Sequence, residues 1–142
     1  MDRLMHPRAL EEFRGNTVLL SIAPSLDTQV CERQTHMLAD ASEKELPQDI
    51  VRMTITRDLP FAHGRFAEHT GFYQITYLSD YKDADFGRQT GLLIDDLRLL
   101  ARAVMVIDKK GTIRYMQVVP EVGHLPDMDK AFSFARTINA EN

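Results

Sequence analysis

The sequence predicts an α/β fold in which a mixed central β-sheet is flanked by helices. Along the first part of the chain, short apolar and β-branched segments alternate with segments of helical periodicity. Further along, two strand-like segments follow each other around a tight turn. Strands joined through helices usually lie parallel, and strands joined by a hairpin turn lie antiparallel. The sheet should therefore contain both arrangements.

The first half of the chain predicts three strands separated by two helices. After a short helical turn at 8–13, the predicted elements are strand 17–23, a helix from Asp27 or Thr28 to about Lys44, strand 49–56, helix 60–69 and strand 74–78. The first strand is mostly apolar or β-branched, which is typical of strands buried on both faces of a parallel sheet. Asp27 or Thr28 can cap the first helix. Pro60 near the start and Gly71 just beyond the end bound the second helix.

The second half of the chain predicts a hairpin and a final helix. Its elements are one helical turn at 85–89, strand 102–108, strand 112–119, a loop at 120–126 and helix 127–138, while segment 92–94 is left unassigned. The turn of the hairpin is Lys109-Lys110-Gly111. The side chains expected to face the core from the last helix are Ala131, Phe134, Ala135 and Ile138. This order of elements is that of the thioredoxin-like fold, and 142 residues are expected to form one domain.

Composition argues against several classes of partner and location. The net charge is -4 and the pI is about 5.7, so the sequence lacks the basic character of a nucleic-acid-binding surface. No apolar run approaches the roughly 20 residues that span a bilayer, and the first residues have no apolar signal region. The single cysteine cannot form an internal disulfide, which suits a reducing compartment. We expect a cytoplasmic protein without nucleic-acid or membrane partners.

The one cysteine occupies a position suited to nucleophilic chemistry. Cys31 falls in the first turn of the first predicted helix, directly after a buried strand and a tight turn. A helix N-terminus carries partial positive charge, which favours a thiolate. Thr28 offers a hydroxyl to the sulfur, and Pro24 could shield the sulfur from water. The spacing alone is equally compatible with a buried structural cysteine, since Glu32 opposes thiolate formation.

Histidine spacing gives no sign of a metal centre. The five histidines lack the spacing of metal ligands, so they are expected on the surface, and no cofactor or metal site is predicted.

A family resemblance decides between these interpretations of Cys31. The segment Pro24-Ser25-Leu26-Asp27-Thr28-Gln29-Val30-Cys31 resembles the peroxidatic motif of peroxiredoxins, Pro-x-x-x-Thr-x-x-Cys, and in detail the bacterial thiol peroxidase subfamily of the atypical two-cysteine type. Other segments similar to that subfamily follow in the same order, namely 58–62 with 65–66, 78–81 with 85–87, 99–104 with 106–108, and 119–121 before 126–127. The resemblance covers about residues 10–138.

The resemblance implies a function and a set of site residues. It implies a thioredoxin-like fold and an antioxidant peroxidase that reduces hydrogen peroxide and organic hydroperoxides. Cys31 would be the peroxidatic cysteine, Thr28 its hydroxyl partner, Pro24 its shield and Arg102 the cation over the sulfur. The family also implies a homodimer.

Two departures from the family leave alternatives open. Ala67 stands where the subfamily has its resolving cysteine, so an external thiol (thioredoxin, glutaredoxin or glutathione) would have to resolve the oxidised cysteine. The chain also begins near the end of what is an N-terminal β-hairpin and strand in the family, so the domain at 1–142 is expected to be N-terminally short. The alternatives are a non-enzymatic redox sensor and an inactive peroxiredoxin-like scaffold.

Overall fold

The fold of the computed structural model is built on a five-stranded sheet, and the structure describes residues 1–120 and 124–141. In chain order its elements are a 3₁₀ turn (Leu10–Phe13), β1 (Val18–Ile22), α1 (Gln29–Asp40), β2 (Val51–Thr56), α2 (Pro60–Thr70), β3 (Thr76–Ser79), α3 (Asp85–Thr90), β4 (Leu93–Ile94), β5 (Leu99–Leu100), β6 (Ala103–Ile107), β7 (Ile113–Val118) and α4 (Met128–Ala140). Within the described residues, no helix is long and apolar enough to cross a membrane.

The sheet is mixed, in the strand order β3-β2-β1-β6-β7. β1, β2 and β3 lie parallel to one another and are joined through α1 and α2. β6 runs antiparallel to β1, and β7 runs antiparallel to β6. The predicted α/β fold with a mixed sheet is therefore confirmed, as are the parallel helix-linked strands and the antiparallel hairpin.

Each face of the sheet carries its own apolar layer. On one face, α1, α2 and α4 pack on side chains such as Leu19, Val104 and Val106. On the other, the 3₁₀ turn and α3 cover a layer that includes Leu20 and Met105. All five residues of β1 and of β6 are buried, because these strands lie inside the sheet with helices or turns on both sides. The connection from β1 to α1 therefore starts from the buried centre of the sheet.

Local sequence signals placed most boundaries within two or three residues. Gly71 ends α2 in the left-handed conformation at φ 75°, as a glycine directly after a helix predicts. Gly111 adopts φ 85° in the β6–β7 turn, where its N–H donates to the Asp108 carbonyl. The predicted loop at 120–126 falls partly outside the described residues, which omit 121–123.

The predicted end of α1 was wrong. The helix ends at Asp40 rather than near Lys44. Ser42 and Glu45 start a separate turn in which the Ser42 N–H bonds the Glu45 carboxylate and the Glu45 N–H bonds the Ser42 hydroxyl. The guanidinium of Arg52 donates hydrogen bonds to the carbonyl groups of Leu38, Ala39 and Ala41 at the end of the helix. A cation from the next strand therefore caps the end of α1, a partner that the sequence of the helix alone does not reveal.

Two smaller expectations also need correction. Phe134 was expected to face the core, but it is 41% exposed and stacks on Tyr115 of β7 with ring centroids 4.6 Å apart. Phe132 is the buried aromatic residue of α4 instead. The unassigned segment at 92–94 holds the two-residue strand β4, which pairs with Leu99–Leu100 in a small separate hairpin. Two-residue strands carry too little pattern to be recognised from sequence.

Candidate active site

Cys31 lies in the first turn of α1, where the connection from β1 reaches the helix. Thr28 is the N-cap residue, with extended backbone at φ -92° and ψ 150°, and its hydroxyl accepts the Cys31 N–H at 3.2 Å. The Cys31 residue is completely buried. The structure therefore places the sulfur at a helix N-terminus and out of contact with bulk water.

Arg102 is brought to this sulfur by the pairing of β1 with β6. The antiparallel register sets Ile22 opposite Ala103, so the residue before Ala103 lies beside the connection that follows β1. Arg102 is 2% exposed, and its Nη1 donates to Cys31 Sγ at 3.0 Å. A buried guanidinium hydrogen-bonded to sulfur stabilises the thiolate form, since both groups are shielded from solvent.

Gln34 joins the arginine to the sheet and was missed as a site residue. Its Oε1 accepts from Arg102 Nη1 at 3.1 Å, and its Nε2 donates to Ser21 Oγ at 2.7 Å and to the Ala103 carbonyl at 3.2 Å. The sequence held one signal, since Gln34 is a polar residue on the buried face of α1, one turn after Cys31. A buried amide must find partners, and here these partners fix the orientation of the arginine.

The remaining expected site residues lie in the same connection. Thr28 is exposed, and its hydroxyl donates to the Ser25 carbonyl at 3.4 Å while it accepts the Cys31 N–H. Pro24 is buried two residues after β1 ends. Glu32, which would oppose a thiolate, reaches outward instead to exposed His36, with 3.7 Å between carboxylate and imidazole. Arg102 therefore contacts the sulfur directly, whereas the Glu32 carboxylate is directed toward His36.

Comparison with known proteins identifies the family of this chain. The family model described as Redoxin matches residues 6–132. The chain belongs to the redoxin family. A thiol peroxidase of Staphylococcus haemolyticus is 38% identical over 138 residues, covering 97% of this chain and 82% of that protein. A thiol peroxidase of Staphylococcus aureus strain COL is 38% identical over 139 residues, with the same coverage.

Solved structures of redoxins support the same assignment. A peroxiredoxin-like protein from Aquifex aeolicus superposes with a TM-score of 0.76 and 32% identity, covering 87% of this chain and 72% of that one. Thiol peroxidase from Chromobacterium violaceum gives a TM-score of 0.81 at 22% identity, with 96% and 80% covered, which supports the fold. The chain belongs with the bacterial thiol peroxidases in the peroxiredoxin superfamily and is a peroxiredoxin-type oxidoreductase with thiol-dependent peroxidase activity.

Two features of α2 bear on how this redoxin works. Ala67 is completely buried in the apolar layer under α2, and the chain has no cysteine besides Cys31. Beside the first turn of α1 lies a groove of about 670 Å³, to which Asp27 and Glu32 contribute from one side and Phe61 from the other. Phe61 is 69% exposed, so this groove presents apolar surface beside the first turn of α1.

His63 corrects the expectation that all histidines are on the surface. It is completely buried, with Nε2 2.7 Å from Thr56 Oγ1. Burial lowers its pKa from 6.5 to about 4, because the charged imidazolium would lose its hydration. The other four histidines are exposed, as expected.

This buried histidine predicts a pH-dependent stability. In the unfolded chain His63 binds a proton below pH 6.5, whereas in the native state it stays neutral down to about pH 4. The stability is thus present above pH 6.5 and is lost as pH falls toward 4, by about 3 kcal/mol from this residue. Urea unfolding followed by circular dichroism should show a shallower pH dependence for His63→Gln than for wild type. An exposed-site control, His36→Gln, should follow wild type, and a His63→Gln profile that also follows wild type would contradict the assignment.

Proposed function

We propose that this chain reduces hydrogen peroxide and organic hydroperoxides through Cys31 as a single peroxidatic cysteine, whose sulfenic acid is resolved by an external thiol. The observation that carries the proposal is the buried contact between Arg102 Nη1 and Cys31 Sγ at 3.0 Å. A cysteine kept only for packing has no need of a guanidinium, which is costly to bury.

The proposed first half-reaction uses the groups around the sulfur in distinct roles. The Cys31 thiolate attacks one peroxide oxygen, so an S–O bond forms and the O–O bond breaks. The leaving oxygen takes a proton and departs as water or an alcohol. Arg102 stabilises the charge on sulfur and on the oxygens in the transition state. The Thr28 hydroxyl accepts the Cys31 N–H with one lone pair, and its second lone pair can accept the peroxide O–H. Pro24 limits the access of water to the sulfur.

The second half-reaction requires a thiol from outside the chain. The external thiol attacks the sulfenic acid and releases water as a mixed disulfide forms, and a second thiol then frees Cys31 and leaves as a disulfide. Thioredoxin, glutaredoxin and glutathione are the candidate reductants. The chain provides no internal alternative, because it has one cysteine. A homodimer, a cytoplasmic location and a single domain over 1–142 are proposed on the basis of the family.

The deciding experiment is a stoichiometric peroxide pulse in the presence of dimedone, read by intact mass. Mass is the suitable reporter because the chain has no tryptophan for a fluorescence assay. We expect one dimedone adduct, located on Cys31, and competition with catalase should give an oxidation rate far above that of a free thiol. Cys31→Ser serves as the blank and should take up no dimedone.

The same preparation distinguishes the alternatives. Repeated turnover with thioredoxin, glutaredoxin or glutathione supports the peroxidase. A redox sensor would instead be oxidised rapidly but would not be restored by any of the three reductants. An inactive scaffold would be oxidised only at the pace of an ordinary thiol, which would overturn the proposal.

A further inference from the structure

We propose that Asp58 is the positioning residue of the site, holding the connection between β1 and α1 in the shape that presents Thr28 and Cys31 to peroxide. This inference rests on the proposed function of Cys31. Asp58 belongs to a different segment, the short link between β2 and α2, and it reaches the active-site connection across 32 and 33 residues of sequence.

The carboxylate of Asp58 accepts hydrogen bonds from two adjacent residues of the connection. Its Oδ1 accepts from the Ser25 hydroxyl at 2.7 Å, and its Oδ2 accepts from the Leu26 N–H at 2.8 Å. One bond is to a side chain and the other to the backbone, so the two bonds together fix the position and the orientation of the connection relative to Asp58. Pro24, directly before Ser25, has no N–H to anchor the connection by itself.

From Ser25 the support continues to the cysteine through the backbone. The Ser25 carbonyl accepts from the Thr28 N–H and from the Thr28 hydroxyl, each at 3.4 Å. The Thr28 hydroxyl in turn accepts the Cys31 N–H at 3.2 Å. Both bonds link Thr28 to Ser25, and Ser25 is held by Asp58, so the position of Thr28 depends in part on Asp58.

Asp58 is itself held by two buried residues, Thr56 and His63. Thr56 Oγ1 donates to Asp58 Oδ2 at 2.9 Å, and this uses the only hydrogen of that hydroxyl. The bond between Thr56 Oγ1 and His63 Nε2 at 2.7 Å must then have the imidazole as donor. A neutral His63 protonated on Nε2 therefore directs the Thr56 hydroxyl toward Asp58. On the main chain, the Ser79 hydroxyl donates to the Asp58 carbonyl.

The hydrogen-bond pattern allows a sharp substitution series. In Asp58→Asn, the remaining oxygen can still accept from Leu26 and Thr56, while the new amide donates to the Ser25 hydroxyl. Asp58→Ala removes all of these bonds. A positioning role therefore predicts that Asn preserves most of the function and that Ala does not. A role that depends on the negative charge would make both variants equally poor.

The experiment measures two quantities for each variant: the rate constant for Cys31 oxidation by hydrogen peroxide, and amide hydrogen exchange of peptides covering 24–31. For Asp58→Ala we expect oxidation about 100-fold slower and faster exchange in that segment, since small misplacement of reacting groups has effects of this order. Asp58→Asn should stay within about fivefold of wild type on both measures. Asp108→Ala is the matched control, because Asp108 also holds a turn through two N–H groups, of Lys110 and Thr112, and should leave both measures unchanged.

Several results would overturn the proposal. These are an Asp58→Ala rate within twofold of wild type, equal losses in the Ala and Asn variants, or a slow Ala variant with unchanged exchange at 24–31. Should Asp58→Ala fail to fold, Ser25→Ala decides, with about tenfold slower oxidation expected and a wild-type rate contradicting the proposal. If wild type itself reacts like a free thiol, the proposed function fails, and exchange alone then shows whether Asp58 holds the connection.

Discussion

Replacement of Arg102 by methionine is expected to slow the oxidation of Cys31 by hydrogen peroxide about 1,000-fold. Loss of one preorganised donor at a developing charge typically lowers a rate by about 100- to 1,000-fold, and here a full positive charge is lost as well. The upper end of that range applies because Arg102 is 2% exposed and the cysteine is completely buried, so water cannot replace the guanidinium. Competition against catalase, or rapid-quench mass analysis, measures the rate.

Two further variants separate charge from geometry. Arg102→Lys keeps a cation but loses the rigid guanidinium whose Nη1 contacts both Cys31 Sγ and Gln34 Oε1, so about 30-fold slower oxidation is expected. Arg33→Met removes a cation two residues from Cys31 in sequence but exposed to solvent, and should change the rate less than twofold. Circular dichroism confirms folding of each variant. An Arg102→Met rate within threefold of wild type would remove the central support for the proposed mechanism.

The contact between Arg102 and Cys31 shows where sequence reasoning needs help. Local pattern predicted the strand that contains 103–107 and the helix that begins beside Cys31, because apolar runs and capping residues can be recognised from neighbouring positions in the sequence. The pairing of Ile22 with Ala103 depends on how two distant strands align, and no local pattern specifies that register. The family resemblance assigned Arg102 to the site, and the register explains how it reaches the sulfur.

The polar residues that sequence reasoning missed are defined by their hydrogen-bond partners in the fold. Gln34 and Asp58 owe their roles to partners far along the chain, Ala103 for Gln34 and Ser25 for Asp58. His63 was expected on the surface because histidine usually lies there, yet it is completely buried beside Thr56. A polar side chain can be buried only where the fold supplies its hydrogen-bond partners, and the neighbouring residues in sequence do not show whether it does.

Arg52 leads to the second large prediction, which concerns stability. Its Nη1 donates to the carbonyls of Leu38 and Ala39 at 2.9 and 3.1 Å, and its Nη2 donates to those of Ala41 and Leu46, both at 2.9 Å. These carbonyls lie at or just after the C-terminus of α1, where a cation is also favoured by the helix dipole. Burial lowers the pKa of this guanidinium, and the four carbonyls compensate for the hydration it has lost.

We expect Arg52→Met to lower the free energy of unfolding by about 4 kcal/mol, at roughly 1 kcal/mol for each carbonyl left without its donor. The midpoint of thermal unfolding, followed by circular dichroism, should fall by about 12 °C. Arg136→Met is the matched control, because Arg136 also donates to a carbonyl of this region, that of Glu45 at 2.7 Å, but from an exposed position. It should lower the stability by less than about 1 kcal/mol. Equal effects of the two substitutions would mean that the end of α1 is set by its own sequence and not by the cation from β2.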